Sequence, residues 1–315
     1  MQQPFYAKYI TVTNHFPYSL DEQDKDPNFV TTTTDSDVVN GYFETNHYLD
    51  QSIGEFYDYL KKSGLYDKSI IVLYGDHYGI SNSENKSLAS VLGKSADDWT
   101  DFDNAQMQRV PFMVNIPGYT GGGINHTYGG EIDVMPTILH LLGVSTSNNV
   151  QFGQDLLAPN RKQVVPFRNG DWVSAEYMKY GGNYYVTTTG TKIKPKEDPR
   201  AKQIIDETQA YVDKMLTYSD DVQTGDLLRF YTPEGFKKVD KKDYSYKKSD
   251  GLALLKKMDK QSDTTLIDQH NHTSTMGDYV TDAPELGGQP QTIQQAVSSS
   301  ESSSEETPTD DAAQQ

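Results

Sequence analysis

The chain has 315 residues and a formal net charge of −17, from 45 acidic and 28 basic side chains. This acidity argues against a nucleic-acid-binding protein, because such proteins neutralise phosphates with a basic surface. No stretch approaches the roughly 18 uninterrupted apolar residues of a membrane helix, so no transmembrane segment is predicted. The absence of cysteine excludes disulfides, thiolate chemistry and cysteine-based zinc sites.

The first third of the chain is predicted to contain a strand followed by a long helix. Residues 5–12 form a short apolar run ending in polar residues, which is typical of a buried strand. Apolar residues then recur at three- and four-residue steps over 35–62, which predicts an amphipathic helix that Gly64 ends. The chain begins without the charged and apolar regions of a signal peptide, so as it stands it is expected to remain in the cytoplasm.

Two further strands and a second helix complete the predicted core. Residues 69–74 and 110–116 are almost continuously apolar, as in strands covered on both faces. The helix over 131–142 is predicted to turn five apolar residues inward, namely Ile132, Met135, Ile138, Leu139 and Leu142. This order indicates an α/β fold with a mostly parallel, doubly wound sheet, which we assign to residues 1–160.

The character of the sequence changes after Leu157. Residues 167–194 are rich in Tyr, Val and Thr between glycine turns, which predicts short antiparallel strands. Asp198 and Pro199 then begin a helix. We assign 161–240 to a small α+β subdomain, 241–288 to a polar connector and 289–315 to a disordered acidic tail rich in Ser, Glu and Gln.

The strand over 69–74 ends in the most informative motif, Gly-Asp-His-Tyr-Gly at 75–79. Ligands bind at the carboxyl ends of strands in open parallel sheets. Asp76 and His77 would offer one oxygen and one nitrogen there, a pair suited to Mn²⁺ or Zn²⁺. The alternative is that Asp76 closes a turn and His77 is an exposed loop residue.

A second histidine follows the first predicted strand. His15 lies just past the run at 5–12, so it can converge on the same edge as Asp76 and His77. An imidazole at that position can bind an oxyanion or move a proton. The alternative is a histidine that only orients its own loop.

These segments together resemble the extracellular catalytic domain of the lipoteichoic acid synthases, in the alkaline phosphatase and sulfatase superfamily. The resemblance rests on Gly-Asp-His-Tyr-Gly-Ile-Ser at 75–81, His-Phe-Pro-Tyr at 15–18 and Asp-Val-Met-Pro-Thr-Ile-Leu-His-Leu-Leu-Gly at 133–143. It covers residues 4–240, the C-terminal part of that domain. It implies one divalent cation, Mn²⁺ or Mg²⁺, and transfer of glycerol phosphate from phosphatidylglycerol to a poly(glycerol phosphate) chain at the outer face of the membrane.

The resemblance also implies roles for particular residues. Asp76 and His77 correspond to metal ligands, His15 to the histidine contacting the transferred phosphate and Ser81 to a glycerol-phosphate contact. Arg109, just before the strand at 110–116, is a candidate contact for the anionic substrate, although such an arginine is more often a surface partner.

The family's nucleophilic threonine, another metal-binding carboxylate and the membrane helices lie upstream of the part matched here. The threonines at 31–34 lie in a polar loop and do not replace that nucleophile. We therefore assign no catalytic residue and expect the chain to be inactive on its own. Two other interpretations stay open: a non-catalytic remnant or phosphate-binding module, and a sulfatase- or phosphodiesterase-like hydrolase.

Several other aromatic and histidine residues are interpreted as structural rather than functional. Trp172 and the pair Tyr184–Tyr185 are expected to pack in the fold rather than hold a sugar. His126 beside a glycine-rich loop and the His270–His272 pair lack further ligands nearby in sequence.

Overall fold

The computed structural model describes residues 5–29, 34–147, 149–237, 240–243, 245, 247–259, 280–281 and 291–292. The chain divides into two compact units, Ile10–Lys237 and a second unit made of Met1–Tyr9 with Lys238–Gln315. The predicted boundary at residues 160 and 161 falls inside the first unit and stays a prediction. His270, His272 and the threonines at 31–33 lie outside the described residues, as does almost all of the predicted tail.

The first α-helix of the first unit is the long helix α1 (Asp37–Lys62), close to the predicted 35–62. Ser36 caps it, since its hydroxyl accepts a hydrogen bond from the Val39 amide. Gly64 follows its end with φ of 70°, the left-handed conformation that glycine adopts at little cost. Val39 is completely buried in a cluster with Ile80 and Leu88, which attaches the first turn of α1 to the chain beyond residue 79.

Two short strands follow, β1 (Ile71–Tyr74) and β2 (Phe112–Asn115), with a short helix α2 (Asp101–Gln106) between them. The strands pair antiparallel, with Tyr74 opposite Phe112. The expected mostly parallel pairing is therefore wrong for these two strands. Most of their residues are only half-buried, and Met113 on β2 is 53% exposed.

Two other expectations fail around this pair of strands. Residues 5–12 form no strand, because no described strand pairs with them, and Tyr6 and Val12 are 84% and 73% exposed. Helix α3 (Val134–Leu141) forms as predicted, but it buries Val134, Pro136 and Thr137. The residues predicted to point inward include Met135 and Leu142, which are 51% and 53% exposed.

The buried side of α3 is explained by polar contacts with the chain that follows it. Asp133 is 5% exposed, and its carboxylate accepts hydrogen bonds from the Gln154 and Gly130 amides at 2.7 and 3.1 Å. The Thr137 hydroxyl accepts one from the Leu156 amide at 2.9 Å. The Asp and Thr of the motif at 133–143 therefore hold the loop at 153–156, and these bonds decide which side of α3 is buried.

The remainder of the first unit is a five-stranded antiparallel sheet in chain order, followed by a helix. The strands are β3 (Val164–Pro166), β4 (Trp172–Ser174), β5 (Tyr177–Tyr180), β6 (Asn183–Val186) and β7 (Lys192–Ile193). Helix α4 (Pro199–Gln223) begins at Asp198, whose carboxylate accepts the Arg200 and Ala201 amides. It packs Ala201, Ile205 and Val212 against Trp172, so the predicted packing role of Trp172 is confirmed.

The second unit contains a helix, α5 (Lys248–Asp259), and a two-residue antiparallel pair, β8 (Val280–Thr281) and β9 (Gln291–Thr292). In the described part of the chain, no helix is both long enough and apolar enough to cross a membrane.

Candidate functional site

The site is built where β1 ends, and Gly75 determines how the chain leaves the strand. The Gly75 amide donates to the Pro111 carbonyl at 3.0 Å. A Cβ at residue 75 would lie 2.8 Å from the Cβ of Val110, so only glycine fits without displacing the segment that leads into β2. The next residues, Asp76 and His77, are therefore presented at the end of the strand, as the sequence predicted.

The structure brings three of the predicted side chains together. The rings of His15 and His77 meet edge to face, with their centroids 5.5 Å apart. The Nε2 atom of His77 is 3.8 Å from the Oδ1 atom of Asp76. The Asp76 and His77 side chains are 74% and 53% exposed, and His15 is exposed, so all three are open to a ligand.

Both imidazoles are held by hydrogen bonds to neighbouring backbone. The Nδ1 of His15 lies 2.9 Å from the Phe16 carbonyl, and the Nδ1 of His77 lies 2.7 Å from the Tyr78 carbonyl. A carbonyl only accepts, so each Nδ1 carries the hydrogen and the Nε2 of a neutral ring keeps its lone pair. Metal-binding histidines are commonly oriented in this way by a bond from the other ring nitrogen.

The positions of Asp76 and His77 fit a shared cation. Two ligand atoms each about 2.1 Å from one ion lie no more than about 4.2 Å apart, and the observed separation is 3.8 Å. No group of three His, Asp or Glu side chains that could hold a metal is found within the described ranges. The described chain thus supplies a fitting pair, fewer than the three or four ligands that zinc sites usually have.

An unpaired polar atom lies next to His15 in sequence. The side-chain oxygen of Asn14 is buried and has no protein hydrogen-bond partner among the described residues. Such an atom is costly to bury unless another group binds it. This loop therefore carries an unused oxygen acceptor as well as the free Nε2 of His15.

Tyr18 ends the His-Phe-Pro-Tyr motif at 15–18 and was assigned no role from the sequence, but it connects the two loops. Its hydroxyl donates to the Gly79 carbonyl, across 61 residues of sequence. Burial, with a smaller contribution from Tyr42, raises the pKa of Tyr18, so the hydroxyl stays protonated and able to donate near neutral pH. The signal that marks Tyr18 is its backbone φ of 59°, which sequence patterns do not reveal for a tyrosine.

Ser81 and Arg109 are less closely tied to the three central side chains. Ser81 is exposed and its hydroxyl lies 2.7 Å from that of Ser83. Arg109 is exposed in the segment between α2 and β2, one residue before the Val110 that contacts Gly75. Their predicted substrate contacts stay predictions. His126 is also exposed, in the loop that precedes α3.

A polar groove of about 480 Å³ lies beyond Ser83. Its walls combine two lysines with aromatic and amide side chains; the lining includes Ser83, Lys86, Trp99, Asn104, Tyr185 and Lys192. Neither lysine forms an ion pair within the described residues. The lining also includes the Asp101 carboxylate, so the described lining carries a net charge of +1 in a chain whose net charge is −17.

The sequence matches a family model and several known proteins. Residues 1–144 match the Sulfatase family model. The chain is 50% identical over 250 residues to lipoteichoic acid synthase 2 of Bacillus subtilis, and 42% identical over 248 residues to the lipoteichoic acid synthase of Staphylococcus aureus. These alignments cover 79% and 78% of this chain but only 37% and 36% of the relatives, so the chain spans little more than a third of their length.

A solved structure supports the same assignment. The crystal structure of the lipoteichoic acid synthase LtaP from Listeria monocytogenes matches with a TM-score of 0.54 and 29% identity, over 67% of this chain and 52% of that one. The predicted fold class, that of the alkaline phosphatase and sulfatase superfamily, is therefore confirmed. Within the superfamily, its relatives are lipoteichoic acid synthases, which confirms the resemblance seen in the motifs.

Proposed function

We propose that this chain contributes the metal- and phosphate-binding strand end of a phosphoglycerol transferase. The reaction moves glycerol phosphate from the head group of phosphatidylglycerol to a poly(glycerol phosphate) chain. The observation that carries the proposal is the convergence of His15, Asp76 and His77, in a chain that is 42–50% identical to lipoteichoic acid synthases. Because phosphatidylglycerol is a membrane lipid, the reaction takes place at a membrane surface, and we place it on the outer face.

The Asp76 carboxylate and the Nε2 of His77 would hold one divalent cation, Mn²⁺ or Mg²⁺. When bound, the cation supplies neutralisation of the phosphoryl oxygens and activation of a hydroxyl nucleophile. When protonated, His15 donates a hydrogen bond from Nε2 to the transferred phosphate and can give that proton to the departing diacylglycerol oxygen. Ser81 and Arg109 contact the glycerol phosphate, and none of these residues is assigned as the nucleophile.

The groove beyond Ser83 supports a polymeric partner for this site. The Ser81–Ser83 contact connects the groove to the proposed glycerol-phosphate position. Lys86 and Lys192 can pair with phosphodiesters. The amide and hydroxyl groups of the lining can hydrogen-bond glycerol hydroxyls. A chain of glycerol phosphates fits this combination better than an apolar ligand does.

Calorimetric titration with Mn²⁺ tests the proposal. We expect weak binding by the wild type and a loss of affinity of about tenfold or more in Asp76→Asn and His77→Ala, because each removes one ligand. His126→Ala is the matched control and should leave the affinity unchanged. Equal affinities in all four proteins would contradict the metal site.

A second measurement separates the proposal from its alternatives. We expect no diacylglycerol release from fluorescent phosphatidylglycerol above a blank with Mn²⁺ alone, because no residue of this chain is assigned as the nucleophile. Release that His77→Ala abolishes would show that the chain is active on its own. Binding of glycerol phosphate without any binding of Mn²⁺ would instead favour a phosphate-binding module. Cleavage of a sulfate ester or another phosphodiester would favour a hydrolase.

A further inference from the structure

Tyr18 differs from its neighbours in being buried. It is 6% exposed, whereas Phe16, two residues earlier in the same loop, is 62% exposed. The loop folds back on itself here, with the Tyr18 amide donating to the His15 carbonyl at 2.9 Å. The turn that presents His15 to solvent is therefore the turn that sends the Tyr18 side chain inward.

The Tyr18 side chain ends on the loop that carries His77. Its hydroxyl donates to the Gly79 carbonyl, and its ring packs edge-on against Tyr42 of α1 at 5.4 Å between centroids. The Tyr42 ring in turn fills the space beside Gly79, where an added Cβ would lie 2.4 Å from it. Gly79 is therefore contacted by both tyrosines, by Tyr18 through a hydrogen bond and by Tyr42 through its ring.

The backbone of Tyr18 is strained in this arrangement. Its φ of 59° is uncommon for a tyrosine, and its carbonyl oxygen would lie 2.6 Å from a Cβ added at Gly41. Strained backbone persists only where the surrounding structure enforces it, and it is concentrated at functional sites. Here the packing against Gly41 and Tyr42 enforces it, and the result is a direct connection between two loops.

We propose that Tyr18 is a positioning residue that sets the distance between His15 and His77. It lies three residues after His15 and bonds to the residue two positions after His77, so it is a short link between the two imidazoles. The inference rests on the proposed function, in which His77 binds the cation and His15 the phosphate beside it. Without the Tyr18 hydroxyl, we expect the fold to retain its core. The loop that carries His15 then loses its hydrogen bond to the loop that carries His77.

The test compares Tyr18→Phe with Tyr42→Phe. Both variants lose one phenolic oxygen from the same cluster, but only Tyr18→Phe loses the hydrogen bond to Gly79. Histidine-labelled protein has seven labelled residues, which makes a ring-to-ring nuclear Overhauser cross-peak between His15 and His77 assignable. We expect the cross-peak in the wild type and in Tyr42→Phe, and its loss in Tyr18→Phe with the melting temperature nearly unchanged.

A persistent cross-peak in Tyr18→Phe, or its absence from the wild type, would overturn the inference. A large drop in melting temperature together with loss of the cross-peak would also overturn it, because Tyr18 would then be a core residue of general structural importance. Added Mn²⁺ separately reads the metal site of the proposed function, since an ion bound by Asp76 and His77 should broaden His77 and the nearby His15 in the wild type. No broadening of either histidine would refute the metal site of the proposed function while leaving the cross-peak test of Tyr18 intact.

Discussion

The sheet β3–β7 with α4, and the region around β1, β2 and α3, differ in how completely their apolar side chains are covered. Trp172 and Val212 in the first region are fully buried, and Ile205, in the same cluster, is 3% exposed. Met113 and Met135 in the second are about half exposed. The first region makes a core from segments that follow one another in sequence, whereas the second does not cover its own strands and helix.

Polar contacts and a few buried side chains hold the second region instead. Asp133 and Thr137 bind the backbone after α3, and Tyr18 binds the backbone at Gly79. Ile80 packs with Val39 and Leu88, which holds the chain immediately beyond the candidate site. The exposed residues 76–78 are thus fixed at both ends, at Gly75 and at Gly79–Ile80, without being buried themselves.

The largest expected effect tests the burial contrast directly. Trp172→Ala should lower the free energy of unfolding by about 3–5 kcal/mol, the usual cost of removing a buried tryptophan. It also leaves Gln209 without the indole donor now 3.0 Å away. Met135→Ala is the matched control and should change stability by no more than about 0.5 kcal/mol, as at exposed positions.

Urea unfolding of both variants measures these values. The contrast in burial would be contradicted if Met135→Ala lowered the free energy of unfolding as much as Trp172→Ala does, since α3 would then be covered in solution. It also fails if Trp172→Ala is nearly neutral.

The sequence predicted those parts whose signals are local. The three- and four-residue spacing located α1 to within two residues, and the Gly-Asp-His motif located the exposed strand end. The antiparallel strands within 167–194 are confirmed as well, because Gly181 and Gly182 adopt the positive φ values that the hairpin requires.

Structural features that depend on contacts between residues far apart in the chain could not be predicted from the sequence. The apolar run at 5–12 has the composition of a strand, but a strand also needs a neighbour to pair with. Likewise the apolar positions of α3 could not show that Asp133 and Thr137 would direct its buried side. Tyr18 lies in the His-Phe-Pro-Tyr motif, but its role could not be predicted, because that role comes from a positive φ and a contact 61 residues away.

A second prediction concerns how tightly the candidate site is packed. Gly79→Ala should destabilise the protein by about 1–3 kcal/mol, because the new methyl group would meet the Tyr42 ring at 2.4 Å. It should also weaken Mn²⁺ binding, since Gly79 is two residues from His77. Gly54→Ala is the matched control: nothing lies within 4 Å of its added methyl group, and it is inside α1.

The control should raise stability by about 0.5–1 kcal/mol, since alanine favours a helix interior more than glycine does. Thermal melts and Mn²⁺ calorimetry check both variants. If Gly79→Ala left the stability unchanged, the site region would be loosely packed as well as exposed.

The smallest expected effect lies where the two regions meet, at α2. Ala105 of α2 packs with Met178 and Tyr185 of the five-stranded sheet. The helix begins with a capping box in which the Asp103 carboxylate accepts hydrogen bonds from the Thr100 amide and hydroxyl. Asp103→Ala should cost about 1 kcal/mol at pH 7, the usual cost of losing a cap.

This cost should depend on pH in a defined direction. Burial of the Asp103 carboxyl opposes ionisation, but the Lys94 ammonium 2.6 Å away and the Thr100 hydrogen bonds outweigh it and lower the pKa of Asp103. The unfolded chain has the ordinary value of about 3.9, so the folded state favours the ionised form. The stabilisation is therefore complete above about pH 5 and is lost as the pH falls through the lowered pKa.

Urea unfolding of wild type and Asp103→Ala should give free energies that converge below pH 4, while the exposed Asp97→Ala control stays close to wild type throughout. A difference that grows on acidification would show that Asp103 is stabilised as the neutral acid, and α2 would then join the two regions by packing alone.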